Sequence, residues 1–200
     1  MITILDIGMG NIGSIVNMFR RLGRDATVAS DPGGISGATR IILPGVGAFD
    51  EAMQALERGG WIAPLEHAVR DRGIPILGIC LGFQILGRSS EEGVLPGLGW
   101  LEAKTRKLDA FPGLKIPHMG WNAVTPPRPS PLSRHLDPDA RFYFVHSYHV
   151  VADRDEDVIF RTTHGQSFVS GMQRGHIMGV QFHPEKSRKF GMALLRDFSS

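Results

Sequence analysis

With 200 residues, 42% of them hydrophobic and 21% charged, the chain can bury a substantial core and falls in the range of one soluble domain, expected to span residues 1–200. Its formal charge is only +2, with basic residues scattered among acidic ones, so there is no electrostatic footprint for nucleic acid. One cysteine excludes a disulfide framework and any multi-cysteine zinc site, and the lack of a leader-like start or an apolar run of bilayer length points to a cytoplasmic protein with no membrane partner.

The first half alternates short β-rich runs with segments of helical period, the pattern of parallel βαβ units. Ile2 to Leu5 reads as a buried strand, Ile12 to Leu22 as an amphipathic helix stopped by Gly23, and Ala26 to Ala29 as the next strand. Arg40 to Leu43 follows as a third strand, then helical spacing over Phe49 to Glu57 and Leu65 to Arg70, then a fourth strand over Pro75 to Ile79 that runs into Cys80. In the second half Trp100 to Lys107, Arg141 to His146, His149 to Ala152, Val158 to Thr162, Ser167 to Met172 and Ile177 to Gln181 are short candidate strands, which suggests an added antiparallel layer. Thr125 to Pro131 is too proline-dense for a helix or central strand and reads as a surface loop, and Ser187 to Phe198 closes the chain as a helix. No internal repeat is present.

Two glycine-flanked motifs compete for the functional assignment. Gly8-Met9-Gly10-Asn11-Ile12-Gly13 fits a dinucleotide fingerprint after a strand, with Asp31 near the end of the next one. Glycines at a tight strand-to-helix turn explain it equally, and the antiparallel later half offers no second mononucleotide-binding unit, so a nucleotide-binding module is the minor reading. Gly78-Ile79-Cys80-Leu81-Gly82 places the lone cysteine on a strand-to-helix turn between glycines, a nucleophile elbow with sulfur in place of oxygen. The alternative is a buried core cysteine, but glycine on both sides weakens a purely structural strand. The helix N-terminus expected after Cys80 favours a thiolate. A base and its orienter follow the strand Ile177 to Gln181: His183 to move the proton and Glu185 to fix the imidazole. Parallel pairing would bring that strand end beside Cys80. His146 and His149 are an odd number apart and would face opposite sides of a strand, and the other histidines read as solvated or core groups, so no metal site is expected.

Gly78 to Gln84 together with Phe182-His183-Pro184-Glu185 resembles the class I (triad) glutamine amidotransferases over essentially the whole chain. Within that class, Asp6 to Asn11, Pro44-Gly45-Val46-Gly47, Pro117 to Asn122 and Tyr143 to Tyr148 resemble the glutaminase subunits of imidazole glycerol phosphate synthases. The resemblance implies a flavodoxin-like α/β fold with a central, mostly parallel sheet and added antiparallel strands. It implies glutamine hydrolysis through a thioester on Cys80 with His183 and Glu185, with no metal or organic cofactor. Backbone N–H groups near Gly45, Val46, Gly47 and Leu81 would form the oxyanion hole, and Gln84, Glu92 and Ser147 would hold glutamine. Asn11, Trp121, Tyr143 and Lys186 would meet a (β/α)8 cyclase in a heterodimer that receives the ammonia, although Trp121 reads equally as a core aromatic. The early glycine loop would then face the synthase rather than a nucleotide. Phe83 stands where the family commonly has methionine, and His149 follows Tyr148 where another residue is frequent. The tail Lys186 to Met192 resembles a branch that supplies a sugar-amidating synthase in surface-polysaccharide biosynthesis, the alternative acceptor.

Overall fold

A computed structural model describes residues 1–200. In chain order the elements are β1 (Ile2–Leu5), α1 (Ile12–Arg21), β2 (Ala26–Ala29), β3 (Arg40–Gly45), α2 (Phe49–Arg58), α3 (Ile62–Glu66), β4 (Ile76–Cys80) and α4 (Leu81–Gln84). The second half contributes β5 (Ala103–Lys107), β6 (His118–Ala123), β7 (Arg141–His146), β8 (Tyr148–Ala152), β9 (Val158–His164), β10 (Gln166–Arg174), β11 (Ile177–Val180) and α5 (Arg188–Phe198).

The main sheet has nine strands, ordered β2-β1-β3-β4-β11-β10-β8-β5 with β9 on β10. From β2 to β11 every pairing is parallel, and beyond β11 every pairing is antiparallel. The antiparallel strands therefore extend the same sheet, and only the β6–β7 ribbon stands apart as the expected second layer. β1, β4 and β11 are buried along their whole length, as continuous apolar runs covered on both faces must be. Alternation splits strand side chains between two cores: in β3, Ile41 and Leu43 enter one and Ile42 the other. α2 lays Phe49, Ala52, Met53 and Leu56 on the first face. α1 and α5 cover the second with Ile15, Met18 and Phe19, and with Leu194, Leu195 and Phe198, at the spacing of one helical stripe. Fully burying a side chain such as Phe19 contributes about 1.5–3 kcal/mol relative to leaving it in water.

The helix termini follow from local sequence. α1 ends with Arg20 and Arg21 beside its carbonyl end, and Gly23 then takes a left-handed φ of 65° that stops it. The helical stretch expected from Leu65 to Arg70 is instead α3, which holds Pro64, running into a wider π turn over His67–Asp71. Pro64 lies in the first turn of α3, where its missing N–H costs no ladder bond. The effect that matters for the site is topological. Strand order 2-1-3-4 followed by β11 puts the carboxyl ends of β3, β4 and β11 side by side, the edge at which open α/β sheets carry their sites.

Candidate active site

β4 ends at Cys80, whose φ of 55° and ψ of −109° are outside the regions that L-residues prefer. That kink turns the chain sharply into α4. It is possible only because the adjoining positions lack side chains: a Cβ on Gly82 would lie 1.8 Å from the Leu43 carbonyl oxygen, and one on Gly78 would lie 2.6 Å from that of Gly82. Gly45, which pairs with Cys80 across β3 and β4, is packed equally tightly, its Cβ position 2.8 Å from the Gly82 nitrogen. α4 covers only four residues, Leu81–Gln84, so its dipole gives a thiolate limited support. Cys80 itself is nearly buried, with its sulfur accepting a hydrogen bond from Gln181 Nε2 at 3.7 Å.

His183 lies just beyond β11, which runs parallel to β4 with Val180 opposite Ile79. Its backbone N–H donates to the Tyr143 carbonyl at 2.9 Å. Ser187, fully buried, donates its hydroxyl to the His183 carbonyl at 2.6 Å and accepts the Tyr143 N–H at 3.0 Å. The loop carrying His183 is thus fastened to β7. Glu185 Oε1 stands 2.8 Å from His183 Nδ1, and both side chains are 2% exposed. Burial pushes the imidazole pKa down, but hydrogen bonding and charge from Cys80 and Glu185 outweigh it and raise it to about 10. His183 Nε2 has no aligned hydrogen-bond partner, although the Cys80 sulfur is near enough to raise the imidazole pKa.

The sulfur and the imidazole open into one cavity of about 330 Å³. Val46, Gly47 and Leu81 line it on one side, and Gln84, Glu92 and Ser147 complete the wall, so these expected oxyanion and substrate residues converge on one space with Cys80 and His183. Gly45 is set back in β3, behind the lining. Glu92 accepts the Phe49 N–H at 3.0 Å through one carboxylate oxygen. Asp50, one residue into α2 from Phe49, answers by accepting the backbone N–H groups of Val94 and Leu95 at 3.0–3.1 Å, which clamps the Glu92 loop to the start of α2. Gln84 is committed inward: its amide nitrogen donates to the Tyr148 carbonyl and to Gln181 Oε1, both at 3.1 Å.

The four residues assigned to a partner interface are placed unequally. Trp121 is 43% exposed and stacks edge-on with Tyr143 at 6.2 Å, so it is a surface rather than a core aromatic. Lys186 lies over the Tyr143 ring at 5.7 Å, and Arg188 over Trp121 at 5.9 Å, giving a mixed aromatic and cationic face beside the loop that carries His183. Asn11 precedes α1 without capping it through its side chain. Gly10 in the same loop packs against Pro44, its Cβ position 3.2 Å from the proline ring, and the Gly47 Cβ position lies 2.8 Å from the Met9 methyl. The Gly8 to Gly13 loop therefore packs against the Pro44 to Gly47 segment, which accounts for Gly10 without a nucleotide; Gly8 is used for its φ of 80°, while a Cβ on Gly13 would meet nothing.

The histidines depart from the sequence expectation in one respect. His146 ends β7 and His149 lies in β8, so alternation along a single strand does not relate them. His118 and His146 are 2.9 Å apart and buried, and burial lowers their pKa values to about 4 and about 3. No group of three or more His, Cys, Asp or Glu side chains is arranged to hold a metal ion. Sequence reasoning overlooked Gln181, Ser187 and Asp50. Gln181, a fully buried amide between Val180 and Phe182 in an otherwise apolar run, carried the clearest signal.

A strained cysteine at the carboxyl edge of a parallel sheet, faced by a buried histidine–carboxylate pair, is the arrangement of a triad amidotransferase. The family profile for class-I glutamine amidotransferases matches residues 3–199. Solved structures share the fold: a crystal structure of glutamine amidotransferase superposes with a TM-score of 0.74 at 20% identity over 98% of this chain and 96% of that one. The structure of PurLQS from Thermotoga maritima gives 0.75 at 18% over 99% and 96%. Curated relatives named imidazole glycerol phosphate synthase subunit HisH 2 are 49% identical in Methanococcus maripaludis and 43% in Pseudomonas aeruginosa, each over 99% of this chain and 98% of the relative. The HisH subunit of Bdellovibrio bacteriovorus is 46% identical over 100% of this chain and 99% of its own. The chain belongs to the class-I glutamine amidotransferase family, and within it to the HisH group of glutaminase subunits.

Proposed function

We propose that residues 1–200 act as one glutaminase domain, with Cys80, His183 and Glu185 as its triad, in a heterodimer with a (β/α)8 cyclase of the histidine pathway. The observation that carries the triad is the buried His183–Glu185 contact of 2.8 Å opening on the same cavity as the strained Cys80.

In this mechanism the Cys80 thiolate attacks the side-chain amide carbon of glutamine, and the carbonyl π electrons move to oxygen. N–H groups near Val46, Gly47 and Leu81 stabilise that oxyanion. His183 gives its proton to the leaving nitrogen, so ammonia departs and a thioester remains. Water then attacks the thioester, His183 takes its proton, and glutamate leaves as the C–S bond breaks. Glu185 holds the imidazole in the tautomer that presents Nε2 to the reaction. Glu92 takes the substrate ammonium, and Gln84 and Ser147 complete the pocket. The face formed by Asn11, Trp121, Tyr143 and Lys186 receives the cyclase, to which ammonia passes for imidazole glycerol phosphate formation in the cytosol.

No helix is long and apolar enough to cross a membrane. The HisH names of the relatives favour the histidine-pathway acceptor over a sugar-amidating synthase. The test is glutamate release by the purified chain mixed with a histidine-pathway cyclase and its ribulosyl ribonucleotide, against a sugar-amidating synthase with its own acceptor. Stimulation by the cyclase, abolished in Cys80→Ala, is the expected result. Stimulation by the sugar-amidating enzyme alone would overturn the acceptor, and turnover by folded Cys80→Ala would overturn the triad.

A further inference from the structure

The sulfur of Cys80 has one formed hydrogen bond, and it comes from Gln181 rather than from His183. Gln181 is fully buried at the end of β11, where a primary amide is costly unless its donors and acceptor are used. Its orientation is fixed by its neighbours. Gln84 Nε2 donates to Gln181 Oε1, so Gln181 must turn its amide nitrogen toward the sulfur. Flipping Gln181 would set two NH₂ groups against each other and a carbonyl oxygen against the sulfur.

Gln84 is locked in turn by the Tyr148 carbonyl, which also accepts from His146 Nδ1 at 2.8 Å. With the His146 proton on Nδ1, its Nε2 accepts from His118 Nδ1, and His118 Nε2 accepts from Asn122 Nδ2 at 3.1 Å. Asn122 spends its other N–H on the Thr163 carbonyl at 2.8 Å. One assignment of protons satisfies every link from β6 to the nucleophile.

We propose that Gln181 is a further catalytic residue: its side-chain N–H is a fixed donor to the Cys80 sulfur, stabilising the thiolate before substrate arrives and receiving it again when the thioester is cleaved. This deepens the assignment of Cys80 as nucleophile and rests on it. The donor suits a thiolate because it cannot give up its proton, whereas His183 must surrender its own during turnover. Gln181 therefore donates to the sulfur in the two stages when it carries charge, before attack on the amide and after the C–S bond of the thioester breaks; in between, the charge lies on the oxyanion. Other titratable groups facing the cavity are His183, backed by Glu185, from the loop after β11, Glu92 from the loop after α4, and His146 and Tyr148 from β7 and β8.

The test needs neither glutamine nor partner, so its failure is distinct from failure of the acceptor assignment. Because Cys80 is the single cysteine, iodoacetamide alkylation of the full chain can be followed by mass across a pH series. Gln181→Met keeps the length of the side chain and removes the donor, and Gln181→Glu replaces the donor with a carboxylate oxygen. Expected midpoints rise in the order wild type, Gln181→Met, Gln181→Glu. For Gln181→Met, alkylation at pH 7 is about tenfold slower than in wild type and converges with it at high pH. A residue that merely fills space would give slower alkylation at every pH or none of this ordering. Should Gln181→Met fail to fold, the paired Gln84→Met/Gln181→Met variant removes both amides together and serves the same measurement. Unchanged midpoints in a folded variant overturn the proposal.

Discussion

Replacing Glu185 by glutamine removes one charge and almost no volume, and the consequence can be worked from the geometry. Glu185 Oε1 is 2.8 Å from His183 Nδ1, with both side chains 2% exposed, so solvent does little to screen the pair. At an effective dielectric of about 20, unit charges about 4 Å apart attract by about 4 kcal/mol. That equals about a thousandfold in the population of charged imidazole. The variant should lose on the order of 10²–10³ in kcat with little change in KM for glutamine, because the charge acts on the base rather than on the substrate. Folding raises the His183 pKa, so its contribution to stability is full below the unfolded value of about 6.5 and fades as pH climbs through about 10. The melting temperature of Glu185→Gln should accordingly fall below wild type at pH 7 and approach it above about pH 10. Glutamate release with the cyclase present, followed across pH, gives the kinetic half of the measurement. A variant within about threefold of wild-type kcat, with the same pH profile, would refute the assignment of Glu185, since even one misplaced catalytic donor costs more than that.

Asp50→Asn loosens the Val94 and Leu95 backbone clamp, so KM for glutamine should rise about tenfold while kcat stays near wild type; equal losses in both would contradict a role confined to presenting Glu92. Cys80→Ala and Cys80→Gly should both be inert, but the glycine variant should be more stable by about 1 kcal/mol in denaturant melts, because φ of 55° strains any side chain. An alanine variant as stable as the glycine one would show that packing, not backbone strain, governs the elbow.

The parallel half of the sheet was legible because its strands are apolar runs punctuated by turns; β1 and β2 match their expected bounds residue for residue. So does β7, whose alternation of exposed and buried residues from Arg141 to His146 follows the two-residue period. β6 was missed. Met119 and Trp121 face outward at 62% and 43% exposure and Gly120 takes a φ of 124°, so the segment lacks the one-sided apolar signature of a half-buried strand. The cysteine elbow and the histidine–glutamate pair could be read because each depends on residues adjacent in sequence. The contacts of Gln181, Ser187 and Asp50 could not, because Gln181 meets Cys80 across 101 residues, Asp50 meets Val94 and Leu95 across 44 and 45, and Ser187 ties the nearby His183 carbonyl to Tyr143 across 44. Trp121 was ambiguous for a related reason: aromatic surface anchors and aromatic cores look alike until exposure is known.

The glycines around the elbow separate two kinds of inheritance. Gly45, Gly78 and Gly82 are excluded from carrying a side chain by backbone atoms of their own neighbours, and Gly179 by the Phe83 ring 2.0 Å from its Cβ position. None of those contacts involves the Cys80 sulfur. A descendant of this chain that abandoned turnover and survived as a docking subunit would still be obliged to keep all four, whereas Cys80 could drift to glycine and gain stability as it did so. In such lineages the glycine pattern records architecture and the proposed triad of Cys80, His183 and Glu185 records chemistry, so a duplicated copy with intact glycines and an altered residue 80 should be counted as a scaffold.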